Sequence, residues 1–326
     1  MDPAAYPERP GSVSFTETHI SLVFFTGAHA YKVKKPVNFG FLDFTTLDKR
    51  KHFCQLELNL NRRLSRDIYL AVVPIRKKGG RVVIDGEGRT VEYAVKMKQI
   101  PEDLLMDRLL DRGMISREMV ERVADRLVDF YGKTETNERI QSFARPNRLR
   151  QDTDENFEQT EKYIGTTVSG RQFREIRGAT DSFLERNRQV FLQRIREGRI
   201  RDCHGDLRLE HVFFGQEISI LDCIEFNERF RYIDIAADIG FLAMDLDYRG
   251  RGDLSRVLID RYVNRFGDPG IYRVLDFYKC YRAYVRGKVE SFTLDDPHVD
   301  TGEKERALDR ALEYFRLSHQ YAGMLS

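Results

Sequence analysis

The chain has 326 residues, 33% of them charged and 41% hydrophobic, a balance that excludes a disordered chain. Its net charge of +2 argues against a generally basic nucleic-acid binder, and its length favours two lobes over one small core. The opening MDPAAYPERPGS lacks the apolar stretch of a signal peptide, and no apolar run approaches about 20 residues. No membrane span and a cytoplasmic location are therefore expected.

Residues 19–25, HISLVFF, read as a strand, TGAH as a turn, and residues 30–35, AYKVKK, as the returning strand of a hairpin that Pro36 ends. Residues 46–64 read as a helix, with Thr45 or Thr46 as cap and Phe53, Leu56, Leu60 and Leu64 at helical spacing. IYLAVVPI, RVVIDG and VEYAVKMKQI are three more strand candidates. Beyond IPED at 100–103 the pattern becomes helical. SREMVERVADRLVDFYGKT is a capped amphipathic helix, residues 135–160 read as a polar, mobile connection, and TDSFLERNRQVFLQRIREG is another helix. Strands return in IRDCHGDLRLEHVFF and ISILDCIEF, and four helical stretches follow from residue 234. The fold class is α+β and bilobal: a small β-rich lobe with one helix over residues 1–100, and a larger helical lobe over 101–326.

The four cysteines, Cys54, Cys203, Cys223 and Cys280, form no CxxC pair, so they read as small buried hydrophobes rather than a zinc knuckle or a disulfide framework. Cys203 and His204 are strand neighbours that point to opposite faces, which denies them a nucleophile–base pairing. The basic run RPNRLRQ at 145–151 reads as a solvated helix face.

Chemistry concentrates in HGDLRLEH at 204–211 and the strand after it. Asp222 lies inside the apolar ILDCI, where a carboxylate is costly to bury without a partner or a cation. A hairpin between the two short strands would bring Asp222 toward Asp206 and His211. Two acids and an imidazole converging in this way suit a divalent metal with one carboxylate left over as base.

The pattern H-G-D-x-x-x-x-[N/H] followed by a hydrophobic-D strand resembles the catalytic segment of the aminoglycoside phosphotransferase-like enzymes of protein-kinase-like fold. AYKVKK resembles the lysine strand of that family, Glu57 in CQLELNLNRRL the acid of the following helix, and RYIDIAADIGFL the segment that supports the catalytic loop. The resemblance covers most of residues 15–290. It is nearest to the uncharacterised bacterial aminoglycoside phosphotransferase family kinases, which often carry a fused P-loop kinase domain. This sequence has no G-x-x-x-x-G-K-[ST], so a separate P-loop kinase partner is what the resemblance implies.

The resemblance implies an ATP-dependent transfer of the γ-phosphoryl group to a hydroxyl of a small molecule. Asp206 would orient the acceptor hydroxyl and take its proton, and His204 would brace the loop. Asp222 would chelate Mg²⁺. Ala30 would lie over adenine, and Lys32 would hold the α- and β-phosphates with Glu57 as its ion-pair partner; Lys34, on the same strand face, is a rival. Asp234 would cap its helix and accept backbone bonds from the catalytic loop.

Two features depart from the family. His211 stands where Asn is usual, and imidazole suits Mn²⁺ better than Mg²⁺. It would ligate a different metal, bond a phosphate, or leave only one metal held firmly. The nucleotide loop FFTGAHAYK has a single glycine, so any phosphate cover would be short.

Tyr278, Arg282 and Arg286 share a helix face, with Tyr281 and Lys288 nearby. They could wall an anionic substrate or lay long side chains over a helical bundle. The acids in MDLDYRGRGD at 244–253 hint at a cationic substrate. Two other functional classes stay open: a nucleotide-binding regulatory module with little turnover, and a metal-dependent hydrolase built on His204, Asp206, His211 and Asp222.

Overall fold

A computed structural model describes residues 2–325 of the chain. Its strands and helices run in the order β1 (Ser14–Glu17), β2 (Ser21–Phe25), β3 (His29–Lys34), α1 (Leu47–Asn61), β4 (Tyr69–Lys78), β5 (Arg81–Ile84), β6 (Arg89–Lys98) and α2 (Met106–Asp111). Next come α3 (Arg117–Lys133), α4 (Glu138–Ser142), α5 (Pro146–Thr160), α6 (Gly170–Arg186) and α7 (Arg188–Arg196). The short strands are β7 (Ile200–Asp202), β8 (Val212–Phe214), β9 (Ile218–Ile220) and β10 (Tyr232–Asp234). The last helices are α8 (Ile235–Tyr248), α9 (Gly252–Phe266), α10 (Leu275–Asp295) and α11 (Thr301–Ala322). The α+β class read from the sequence is the one observed. Among the described residues, no helix is long and apolar enough to cross a membrane.

The chain divides into two compact units. One comprises the residues up to Met114 together with Glu210–Phe230; the other comprises Ile115–Leu209 and the residues from Arg231 on. This differs from a single break after residue 100, and the reason is packing at long range. Phe213 of β8 joins the core of Cys54, Leu58, Ile68, Tyr69 and Val95, and it bridges the backbone of Leu105. The β8–β9 hairpin therefore belongs with the sheet that precedes it by more than a hundred residues.

The first unit is built on an antiparallel sheet of order β1-β2-β3-β6-β4-β5. β1 was not expected, because SFTE carries no apolar alternation; it is an exposed edge strand held by its ladder to β2. The β2–β3 hairpin closes over a tight turn, where the Thr26 amide donates to the His29 carbonyl at 2.9 Å and Gly27 takes φ +88°. Glu8 anchors this turn: its carboxylate accepts from Thr26 Oγ1 at 2.8 Å and from the Tyr31 hydroxyl at 2.9 Å, and it meets His29 Nδ1 at 3.0 Å.

In the second unit α10 packs along α11, and α8 against α9 and α10. The stretch expected as a mobile connection is helical here. Asn137 caps α4 by accepting from the Ile140 amide at 3.0 Å, and Pro146 opens α5 at a position that needs no N–H donor. α5 buries Thr153, Asn156, Phe157 and Thr160, and Phe157 stands edge-on to Tyr284 with centroids 4.8 Å apart. A polar inner face of this kind hides from a hydrophobic count. The helix expected over 180–198 begins earlier, at a capping box of Ser169 and Gln172, and is split at Asn187.

Candidate functional site

In the first unit β3 presents Ala30, Lys32 and Lys34 on one face, as the period of a strand requires. Ala30 is buried between its ladder partners Phe25 and Met97. The Lys32 ammonium lies 2.8 Å from Glu57 Oε1 and donates to Asp222 Oδ1 at 2.6 Å. Lys34 donates to the other oxygen of the same carboxylate, Glu57 Oε2, at 2.6 Å, and also to Glu225. One glutamate thus serves both lysines, and the two lysines are not equivalent. Lys32 faces Asp222, whereas Lys34 is closed off at 2% exposure.

Glu57 is fully buried on a face of α1 that also carries Cys54, Leu58 and Asn61. Burial alone would raise its carboxyl pKa; Lys32 and Lys34 outweigh that and lower it. For Lys32, burial opposes the charged form, and Asp222 and Glu57 overcome it, so its pKa rises. For Asp222, burial raises and Lys32 and then His211 lower, with a net fall well below the usual carboxylate range. Burial pushes the Glu225 carboxyl up, and Lys34 offsets this only in part.

Asp222 follows β9 with φ +61°, a left-handed conformation that a non-glycine residue adopts only when its surroundings compel it. The compulsion is visible in this unit. Ser65 Oγ donates to the Ile220 carbonyl at 2.5 Å, the Asp222 amide donates to the Tyr69 hydroxyl at 3.2 Å, and the Cys223 amide donates to Asn61 Oδ1 at 2.9 Å. The His211 carbonyl accepts from the Leu221 amide at 2.8 Å, which sets the base of the hairpin. The His211 ring is largely buried, with Nε2 3.8 Å from Glu210 Oε1, beyond hydrogen-bond reach.

The donor set bears on a metal. Among the described residues no three His, Cys, Asp or Glu side chains gather as a ready cage. Mg²⁺ in phosphoryl-transfer sites is held by one or two carboxylates, with substrate phosphates and water completing its shell. Asp222 fits that demand: it offers hard oxygen donors, its side chain is 48% exposed, and its conformation is fixed.

The second unit holds His204 and Asp206. His204 is fully buried, and its Nδ1 accepts from the Asp206 amide at 3.3 Å, which braces the loop from within. Arg208 grips both Asp206 oxygens, at 3.1 and 3.3 Å. The residue that takes the loop's amides is Asp238, and this corrects the role expected for Asp234. Asp238 accepts from His204 N at 3.0 Å, Gly205 N at 2.8 Å and the Tyr131 hydroxyl at 3.0 Å. Asp234 does cap α8, accepting from Ala236 N at 2.8 Å. Its two oxygens are also taken by Arg194, at 2.6 and 2.7 Å. The two acids of D-I-A-A-D lie one helical turn apart and divide the work. Asp245 takes the Leu209 amide at 2.9 Å at the loop's far end.

The residues offered as a substrate wall are engaged inside the second unit. Arg282 is 7% exposed, donates to the Ala237 carbonyl at 3.0 Å and stacks over Phe241. Arg286 pairs with Glu290 at 2.6 Å, and Tyr278 is buried. Tyr278 and Arg282 are thus interior, and Arg286 is partly exposed and held by Glu290. The acids of 244–253 are likewise occupied: Asp247 binds Lys279 at 2.7 Å and Asp253 binds Arg251 at 2.8 Å.

Several residues of these sites carried no signal on their own. Asn61, Ser65 and Tyr69 act on backbone atoms more than 150 positions away. Asp238 had a usable one: a lone acid in the apolar run IAADIGFLAM cannot be buried without donors.

No family model matches the chain. Uncharacterised proteins of Mycobacterium tuberculosis and Mycobacterium bovis are 32% identical to it over 279 residues, 85% of this chain and 54% of theirs. The chain spans about half the length of these curated relatives. Among solved structures, a choline/ethanolamine kinase family protein from Mesorhizobium loti superposes with a TM-score of 0.53 at 13% identity, over 99% of this chain and 97% of that one. An aminoglycoside phosphotransferase from Alicyclobacillus acidocaldarius gives 0.48 at 11% identity, over 96% and 91%. The chain has the protein-kinase-like fold, as its resemblance to the aminoglycoside phosphotransferase-like proteins implied.

Proposed function

We propose that the protein is a kinase-fold phosphotransferase that moves the γ-phosphoryl group of ATP to a hydroxyl of a small molecule. The observation that carries this reading is the Lys32 ammonium shared between Glu57 at 2.8 Å and Asp222 at 2.6 Å. A cation pre-set on a strand, fixed by a buried acid and touching an exposed one, suits a polyphosphate with its counter-ion. Lys32 would hold the α- and β-phosphates, Glu57 would fix it, and Ala30 would lie over the base. Asp222 would hold Mg²⁺, whose charge neutralises the phosphates when it is bound; Mn²⁺ would be favoured were His211 a second ligand.

In the transfer itself the acceptor oxygen forms the new P–O bond, Asp206 takes its proton, and the β–γ bridging oxygen leaves on ADP. Fold likeness names no acceptor, because function resides in the site. The separate P-loop kinase partner belongs to the same proposal.

One observation favours a second reading. Arg208 occupies both oxygens of Asp206, as it would in a nucleotide-binding module of low turnover. The hydrolase reading is weakened because His204 spends Nδ1 on the Asp206 amide.

The deciding experiment follows the γ-phosphate label from ATP to a panel of hydroxyl compounds, amino alcohols and amino sugars among them, with wild type and Asp206→Asn. Transfer that falls at least about a hundredfold in the variant supports the proposal. Nucleotide binding without transfer to any acceptor would favour the regulatory reading.

A further inference from the structure

Lys34 has no part in the reading above, yet it is one of the most deeply buried charged side chains of the first unit. It sits two residues beyond Lys32 on the same face of β3, is 2% exposed, and bridges Glu57 and Glu225, themselves 0% and 5% exposed. A buried ion pair is weak evidence of stabilisation, since apolar side chains of similar volume often serve as well. What the pair contributes is the geometry it imposes.

That geometry concerns Asp222. Its backbone is in a left-handed conformation that is strained for a residue with a side chain and persists where neighbours over-determine it. Ser65 holds the Ile220 carbonyl, Tyr69 the Asp222 amide and Asn61 the Cys223 amide. These contacts come from α1 and the residues after it, and Arg63 adds a bond to Cys223 Sγ at 3.3 Å. Two residues further along the segment, Lys34 of β3 binds Glu225. Because the other oxygen of Glu57 faces Lys32, the strand, the helix and the acidic segment are joined through one carboxylate.

We propose that Lys34 is a positioning residue: by tying Glu225 to Glu57 it fixes the segment Leu221–Glu225 and so sets the Asp222 carboxylate against Lys32. Its functional half rests on the phosphotransferase reading. Lys34 itself touches neither phosphate nor metal.

The test uses Lys34→Met/Glu225→Met, which removes one positive and one negative charge together and leaves Glu57 paired with Lys32. Two readouts are taken: hydrogen exchange of the Asp222 and Cys223 amides in the nucleotide-free protein, and the gain in ADP affinity on adding Mg²⁺. We expect those amides to exchange about tenfold faster or more and the Mg²⁺ gain to shrink about tenfold. ADP affinity without metal should stay within about twofold, because Lys32 and Glu57 remain. A general structural defect would move both affinities together. A folded double variant with wild-type exchange and a wild-type Mg²⁺ gain overturns the proposal. If the double variant lacks a cooperative melt, Glu225→Gln, which keeps shape and one acceptor, is read by the same two measurements. Wild type with no Mg²⁺-dependent ADP binding would overturn the phosphotransferase reading and the functional half of the proposal. Slow exchange in the variant would overturn its structural half separately.

Discussion

Asp238→Asn should loosen the loop that carries Asp206 while leaving the first unit's lysine cluster intact. In the native protein the carboxylate accepts three hydrogen bonds in a fully buried setting: Gly205 N on one oxygen, His204 N and the Tyr131 hydroxyl on the other. An amide has one acceptor oxygen, so in either orientation at least one loop N–H must face an NH₂ group. A hydrogen bond to a charged group contributes about 1.5–3 kcal/mol, and the bonds that survive drop to neutral strength near 1 kcal/mol. The loop should therefore lose about 3 kcal/mol of local stability. Hydrogen exchange of a peptide covering residues 200–209 reads this directly, as an acceleration of about a hundredfold. Phosphoryl transfer should fall with it, while ADP binding should not, since the groups proposed to hold the nucleotide belong to the first unit. Asp234→Asn provides the contrast: it weakens the α8 cap and the Arg194 pair without touching an amide of the loop. Exchange unchanged in Asp238→Asn but accelerated in Asp234→Asn would refute the reasoning and restore the assignment suggested by the D-I-A-A-D pattern.

Two further outcomes are expected. Glu8 has its pKa moved from 4.5 to about 2: burial opposes the charged form, but a backbone amide, Thr26, Tyr31 and His29 outweigh it. A depressed carboxyl stabilises above its unfolded pKa and loses that contribution as pH falls through the folded one. Glu8→Gln should therefore be destabilising at pH 7 and progressively less so between pH 4.5 and pH 2; an equal cost by urea unfolding at pH 7 and pH 3 would contradict it. All four cysteines are buried and none is in a disulfide, and burial pushes Cys54 and Cys280 up to about 12 and about 11. A thiol reagent at neutral pH should react with them only after denaturation, and rapid labelling of the folded protein would contradict the packing.

The chemistry was more legible in the sequence than the architecture that holds it. Asp222 stood out because a charge in an apolar strand demands a partner, and the fold joins residues 190 positions apart to supply one; Lys32 and Glu57 were found through the family resemblance. The same reasoning could not separate Lys32 from Lys34, since strand period puts both on one face; only their different partners do. Residues 135–160 looked like a loop because α5 buries threonine and asparagine, whose hydrogen bonds a hydrophobic period does not register. The unit boundary was out of reach for a related reason: Phe213 belongs to the first unit through contacts with Leu58 and Val95 that no local pattern announces. Arg282 and Arg286 left two readings open, a substrate wall or long side chains laid over the bundle. An arginine-rich helix face reads as a binding wall until its guanidinium groups are found on Ala237 and Glu290.

The most direct test of the account is calorimetric titration of ATP into wild type and Asp222→Asn, with Mg²⁺, with Mn²⁺ and with neither. The account predicts binding that requires a metal in wild type and weakens at least about tenfold in the variant. Equal, metal-independent affinity in the two proteins, or no ATP binding under any condition, would contradict it and remove the role given to Lys32.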